Sequence, residues 1–199
     1  MNQQMPSPSI RIIVLAAGKS SRFGAAKLVQ HLHGKPLLQH ALLAAQGACE
    51  GSVNLVVGHD QDIVVAASAG MSDRIVVNSD YREGIGSSIA AGVRESRHGA
   101  DAILIVLADQ PLVTAAHLNN IIDNWSGANN EIVASSYDGT HGPPILFPTS
   151  AFNILCELTG DTGAKEILNS GDFIVRTLDF PPASIDVDLP EDLRGLNQD

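Results

Sequence analysis

Five short apolar runs recur along the chain: IRIIVLA at 10–16, VNLVV at 53–57, RIVV at 74–77, AILIVLA at 102–108 and EIVAS at 131–135. Each is continuous, rich in β-branched residues and bounded by turn formers, as strands covered on both faces of a parallel sheet are. Between them the period changes. KPLLQHALLAAQGA sets Leu37, Leu38, Ala41, Leu42, Ala45 and Ala48 at helical spacing, and DQDIVVAASAG, GSSIAAGVRES and TAAHLNNIIDNW fill the later gaps. Alternation of strand and helix predicts βαβ units with right-handed crossovers and a ligand site beyond the carboxyl ends of the strands.

After residue 138 the pattern loosens. GPPILFP holds Pro143 and Pro144, which predicts an edge strand or a lining loop and argues against a central strand. A helix around AFNILCEL, a short GAKEIL helix, a strand at FIVRTLDF and a closing PEDLRGL helix begun by Pro190 follow. The expected fold is α/β, a three-layer Rossmann-like sandwich around a mostly parallel, mixed central sheet. Residues 10–196 read as a single domain behind a flexible leader, 1–9, which lacks the apolar core of a signal peptide.

Composition removes several function classes. Hydrophobic residues make up 44% of the 199, enough to bury a core, while 22 acidic against 12 basic side chains give a formal charge of −10. That balance argues against general affinity for nucleic acid or an anionic membrane, since both need a basic surface. The apolar runs are also far short of the about twenty residues that span a bilayer. Cys49 and Cys156 sit in apolar, helix-like contexts, so no disulfide framework is expected and a reducing cytoplasm is the default. The seven histidines show no metal-ligand spacing and read as surface or core residues.

The cations are not evenly spread, however. Four of the twelve, Lys19, Arg22, Lys27 and Lys35, fall in or just after LAAGKSSRFGAAK, residues 15–27. The glycines fit neither the Walker spacing nor the dinucleotide fingerprint G-x-G-x-x-G. Small residues still allow backbone N–H groups to approach a phosphate, and Arg22 and Lys27 can neutralise a triphosphate. Composition alone leaves a glycine-rich turn with solvated cations equally open. In YREGIGSSIAAGV, Gly84, Gly86, Ser87 and Ser88 read as a helix start with Ser87 or Ser88 as its cap, or as a turn facing a base or phosphate. Asp109, directly after a buried strand and before Pro111, stands where a hard cation would be held, or where a turn aspartate would. Asp186 and Asp188, read as neighbours on one face of a strand, repel unless a cation or water lies between them, and Asp188 is also a candidate helix cap.

The spacing of Leu15, Ala16, Ala17, Gly18, Ser20, Arg22, Gly24 and Lys27 resembles the signature of nucleotidyltransferases that activate sugars and cofactors. It is most similar to the molybdenum cofactor cytidylyltransferase (MocA-like) branch of the MobA-like NTP transferase family. The resemblance runs from residue 10 to 196 with the motifs in family order. It implies a nucleotide-diphospho-sugar transferase-like fold whose N-terminal half binds the nucleotide and whose C-terminal half binds the acceptor. It implies that residues 15–18, Ser20, Arg22 and Lys27 wrap the triphosphate, with Gly86, Ser87 and Ser88 beside base and ribose. Ile85 and Gly86 replace a methionine and a serine common there. Asp109 of the D-Q-P motif is implied as the Mg²⁺ ligand, joined by Asp188 in preference to Asp186, with Leu189 in place of a common threonine. Gly142 and Pro144, with Pro143 replacing a His or Asn, and Gly160, Asp161 and Gly163 are implied on the acceptor side. Arg22, Lys27 and Asp109 are the implied catalytic groups. The implied reaction is transfer of CMP from CTP to a phosphorylated, molybdopterin-type cofactor with release of pyrophosphate, the product passing to a transient partner. Another nucleotide or acceptor, such as a sugar phosphate, is a second reading. A non-catalytic nucleotide-binding chaperone or sensor is a third, and an NAD-dependent oxidoreductase a fourth that lacks its glycine fingerprint.

Overall fold

In a computed structural model the described residues are 8–19, 23, 26–48 and 51–198. The first βαβ unit is β1 (Ile10–Ala16), a small hairpin of β2 (His31–Leu32) and β3 (Lys35–Pro36), α1 (Leu37–Ala48) and β4 (Val53–Val57). The hairpin is absent from the sequence expectation. Its two-residue turn, His33 and Gly34, takes positive φ at both positions, the twist that suits a tight hairpin. The chain continues through α2 (Gln61–Ser68), β5 (Arg74–Val77), α3 (Ile85–Ser96), β6 (Ala102–Leu107) and α4 (Ala115–Asn124). It ends with β7 (Glu131–Tyr137), β8 (Thr140–Pro148), α5 (Phe152–Cys156), α6 (Lys165–Asn169), β9 (Ile174–Asp179) and α7 (Pro190–Leu196). The strands join in one seven-stranded sheet ordered β5-β4-β1-β6-β8-β7-β9, with β8 antiparallel to both neighbours and the other pairs parallel.

The two-residue alternation of β1 divides the core. Ile10, Ile12, Val14 and Ala16 pack with α1, α4, Val64 of α2 and Leu193 of α7, whereas Ile13, Leu15 and Ala17 pack with α3, α5 and α6. The result is a three-layer α/β sandwich. Among the described residues no helix is long and apolar enough to cross a membrane.

One expectation is overturned. Residues 140–148 form an interior strand, not an edge strand or loop. Its pairing with β6 covers Ile145 to Pro148 only, and its pairing with β7 slips between Ala134 and Ser135, so that Ile145 and Gly142 have partners and the prolines between do not. Pro143 and Pro144 therefore occupy a bulge, where a missing N–H removes no ladder bond.

The bulge is tied from below by buried polar groups. Ser135 Oγ donates to the Pro144 carbonyl at 3.0 Å and lies 2.8 Å from His117 Nε2. Its single hydrogen is thus engaged, and the imidazole donates from Nε2. The ring stacks on Phe180 at 3.7 Å, and burial pulls its pKa from 6.5 to about 4. Between these values the unfolded chain takes up a proton that the folded chain refuses, so stability falls with pH below 6.5 and stops falling below about 4. Chemical denaturation at pH 7 and pH 5 is expected to show about 2 kcal/mol more loss in the native protein than in His117→Gln. Equal losses would place the proton elsewhere.

Candidate active site

After β1 the chain moves to β4 and β5, and after β5 it returns to the other side of β1 to form β6, so the winding direction reverses between β1 and β6. Their carboxyl ends lie side by side, with Ala108 N donating to Leu15 O at 3.1 Å. Such a reversal opens a crevice for ligand. Here a cavity of about 370 Å³ is lined by Leu15 of β1, by Ala17, Gly18 and Lys19 after it, by Asp109 after β6, and by Tyr81, Arg82, Gly84, Ser88 and Asp161 opposite. Among the described residues a Cβ on Gly18 would meet no atom within 4 Å, so a side chain there would take space from the cavity.

Three segments converge on one ammonium. Lys27 opens a short 3₁₀ turn, Lys27–Val29, fixed by Leu28 in the core and by the Gln30 carbonyl, which accepts from Leu37 N at 2.8 Å. Lys27 Nζ lies 2.8 Å from Asp109 Oδ2 and 3.1 Å from Asp188 Oδ1. Burial opposes the charged lysine, but ion pairs and hydrogen bonds with Asp109 and then Asp188 outweigh it and raise its pKa above the usual value. Asp188 arrives there because its segment is strapped to the end of β6. Val187 N donates to Asp109 O at 3.0 Å, and the buried Gln110 side chain donates from Nε2 to Ala183 O at 2.8 Å.

The residues about Asp186 and Asp188 carry no strand, which corrects the sequence expectation. The capping reading of Asp188 is also replaced, because Asp192 Oδ2 accepts from the backbone N–H of Asp188 at 3.0 Å and of Leu189 at 2.8 Å. That leaves the Asp188 carboxylate to the site. Asp186 is exposed as a residue, but protein around its carboxyl end raises its pKa to about 6, and the Asp109 and Asp188 charges add to this while Gln110 opposes it.

The serines of α3 are likewise not its cap. Gly84 is the N-cap, and the Ser87 hydroxyl lies 2.9 Å from the carbonyls of both Asp80 and Gly84. Buried Asn78 donates to Ser87 Oγ and Ser88 Oγ, binding the preceding turn to the helix. Gly86 faces the 159–162 turn, and its N–H donates to Gly160 O at 3.0 Å, so this first-turn donor is used by the protein itself.

Leu15, Ala17, Gly18, Ser88 and Asp109 thus share one cavity wall with Asp161, whereas Ala16 is buried on the opposite face of the sheet. Ser20, Arg22 and Gly24 lie outside the described residues, as do Cys49 and leader residues 1–7. Of the residues expected on the acceptor side, Gly163 joins Pro143 around a smaller chamber, while Gly142 backs onto the Tyr137 hydroxyl and Pro144 is held by Ser135. Tyr81, Arg82 and Lys19 were not expected in the wall. Tyr81 is admitted by the bare Cα of Gly58, where a Cβ would fall 2.6 Å from Tyr81 Cβ, and Arg82 lies over its ring at 5.7 Å.

Among the described residues no three acidic, histidine or cysteine side chains form a metal cluster. Asp109 and Asp188 do meet around one cation, and two carboxylates completed by phosphate oxygens and water suit a small hard divalent ion. The donor set fits.

Residues 12–175 match the family model of the MobA-like NTP transferase domain. The chain is 33% identical to the purine catabolism protein PucB of Bacillus subtilis, over 84% of each protein. It is 28% identical to the nicotine blue oxidoreductase of Paenarthrobacter nicotinovorans, over 95% of this chain and 97% of that one. The crystal structure of Rv0371c from Mycobacterium tuberculosis H37Rv superposes with a TM-score of 0.86 at 31% identity, covering 98% of this chain and 100% of that one. A second structure of Rv0371c is a complex with manganese, at a TM-score of 0.80 and 30% identity over 96% and 98% of the two chains.

Proposed function

Because the chain belongs to the MobA-like NTP transferase family and is an enzyme of the nucleotidyltransferase type, we propose that it transfers CMP from CTP to a phosphorylated, molybdopterin-type cofactor in the cytoplasm. Pyrophosphate is the leaving group and Mg²⁺ the metal. The observation that carries the reading is the bridging of Asp109 and Asp188 by Lys27 at the edge of the cavity between β1 and β6. The manganese bound by Rv0371c supports a divalent ion.

Held by Asp109 and Asp188, the ion would supply charge neutralisation for the α-phosphate and the departing pyrophosphate. Lys27 exchanges one carboxylate contact for a phosphate oxygen. The 15–18 segment lets the phosphates approach the backbone closely, and Ser88, Tyr81 and Arg82 border the remaining space for base and ribose. The acceptor phosphate is already a nucleophile, so positioning and charge stabilisation suffice and no serine, cysteine or histidine base is required.

A thermal-shift panel of the four nucleoside triphosphates with Mg²⁺ tests the base. CTP at one hundred times its Kd is expected to stabilise the folded chain by about 2.7 kcal/mol, with smaller shifts from the others. Equal shifts would remove the assignment to CTP. NADH is expected to give none, and a shift with NADH would favour an oxidoreductase, the class of enzyme in the name of the Paenarthrobacter relative.

A further inference from the structure

The chain around Asp188 offers its carboxylate two uses, the start of α7 and the cation site. Helix α7 begins poorly supplied with acceptors. Its N-cap is Leu189, an apolar residue 37% exposed whose side chain accepts no hydrogen bond. Pro190 removes one donor from the first turn, but the N–H of Glu191 has no partner within the helix. An aspartate three residues before such a donor is a natural cap, and Asp188 stands there. The structure gives the work to another side chain. Asp192 Oδ2 reaches back to accept from Asp188 N at 3.0 Å and from Leu189 N at 2.8 Å, while Asp192 N donates to Leu189 O at 3.1 Å. These bonds set the turn between two buried anchors, Leu193 and Val187, whose N–H is held by Asp109 O. The Asp188 carboxylate lies against Lys27 instead, at 3.1 Å.

We propose that Asp192 is a positioning residue for the divalent ion: by holding the start of α7 it keeps Asp188 from capping the helix and so keeps it as a metal ligand. The assignment rests on the reading that Asp109 and Asp188 hold that ion. Without Asp192 the two uses compete. Rotation about its own side-chain bonds brings the Asp188 carboxylate to the Glu191 N–H, and the ion loses one of its two carboxylates. Removing a group that orients a metal ligand commonly weakens binding by about 10- to 100-fold. Asp192 is itself negative, so its charge and its acceptor oxygen have to be told apart. Asparagine keeps the oxygen, drops the charge and caps about as well as aspartate.

Mn²⁺ alone is titrated into the full chain without nucleotide, and the EPR signal of the free ion gives Kd. Asp192→Ala is expected to weaken binding by about 10- to 100-fold, and Asp192→Asn by less than about threefold. Adding Leu189→Ser to Asp192→Ala gives the N-cap its own acceptor and is expected to recover most of the lost affinity. An unchanged Kd in Asp192→Ala, an Asn variant as weak as the Ala variant, or no recovery from Leu189→Ser would overturn the proposal. The Glu191 amide signal in NMR reads the same competition without metal. In Asp192→Ala it is expected to move downfield and exchange more slowly as Asp188 takes the cap, and adding Asp188→Ala is expected to cancel both changes. An unresponsive Glu191 amide also refutes the assignment. If Mn²⁺ fails to bind the native chain, the metal reading under the proposed function is what fails, and the Glu191 signal alone decides whether Asp192 keeps Asp188 from the helix.

Discussion

Lys27→Ala is expected to lower kcat/KM for nucleotidyl transfer by about 10²- to 10³-fold, equivalent to about 3 to 4 kcal/mol of transition-state stabilisation. The ammonium is the point where segments distant in sequence meet, 82 residues from Asp109 and 161 from Asp188. It is also mostly buried, with its side chain 10% exposed, so its charge acts through protein more than through water. The fold is expected to survive. Leu28 and the Gln30 carbonyl hold the 3₁₀ turn, and the Asp109 and Asp188 side chains, 28% and 46% exposed, are hydrated once the lysine is gone. Pyrophosphate release measured with Mg²⁺, CTP and the phosphorylated acceptor checks the first expectation and thermal unfolding the second. Asp109→Ala is expected to fall by a similar factor; unchanged release in both variants would sink the site assignment.

That triad was only partly legible in the sequence. Lys27 and Asp109 follow strands whose apolar runs are unmistakable, so the positions of the loops were readable from periodicity together with the reversal rule of open α/β sheets. Asp188 was harder. Read as part of a strand it would have faced the same way as Asp186, but a 3₁₀ turn, Pro181–Ser184, followed by an irregular stretch at 185–188 is fastened by two bonds to Asp109 and Gln110, long-range contacts that no local pattern encodes. The same limit explains β8. A proline pair signals an edge strand locally, and only the slipped pairing at Ala134 and Ser135 shows how an interior strand can carry it. Tyr81 and Arg82 were missed because a glycine at 58, far away in sequence, is what admits the Tyr81 ring to the wall.

Among the described glycines, Gly84→Ala is expected to be the most damaging single-methyl change. Gly84 has φ of 114°, a region that L side chains rarely adopt, and its ideal Cβ would fall 2.3 Å from Gly160 O and 2.5 Å from Asp161 Oδ1. A flexible side chain would give way, but the carbonyl belongs to a turn already fixed by its bond from Gly86 N. Backbone strain and overpacking each cost about 1–3 kcal/mol, so a combined loss of about 4 kcal/mol follows unless the turn moves. Either response displaces Asp161 from the cavity wall it shares with Ser88. Two measurements separate the responses. Denaturant unfolding reads the strain, and CTP affinity at a temperature where the variant remains folded reads the displaced turn. Gly163→Ala is the matched control, because a methyl is added to the same loop with its nearest contact at 3.8 Å, and it is expected to change stability by less than about 0.5 kcal/mol. Equal stability of the two variants would mean that the turn at 160–161 is not clamped on the start of α3.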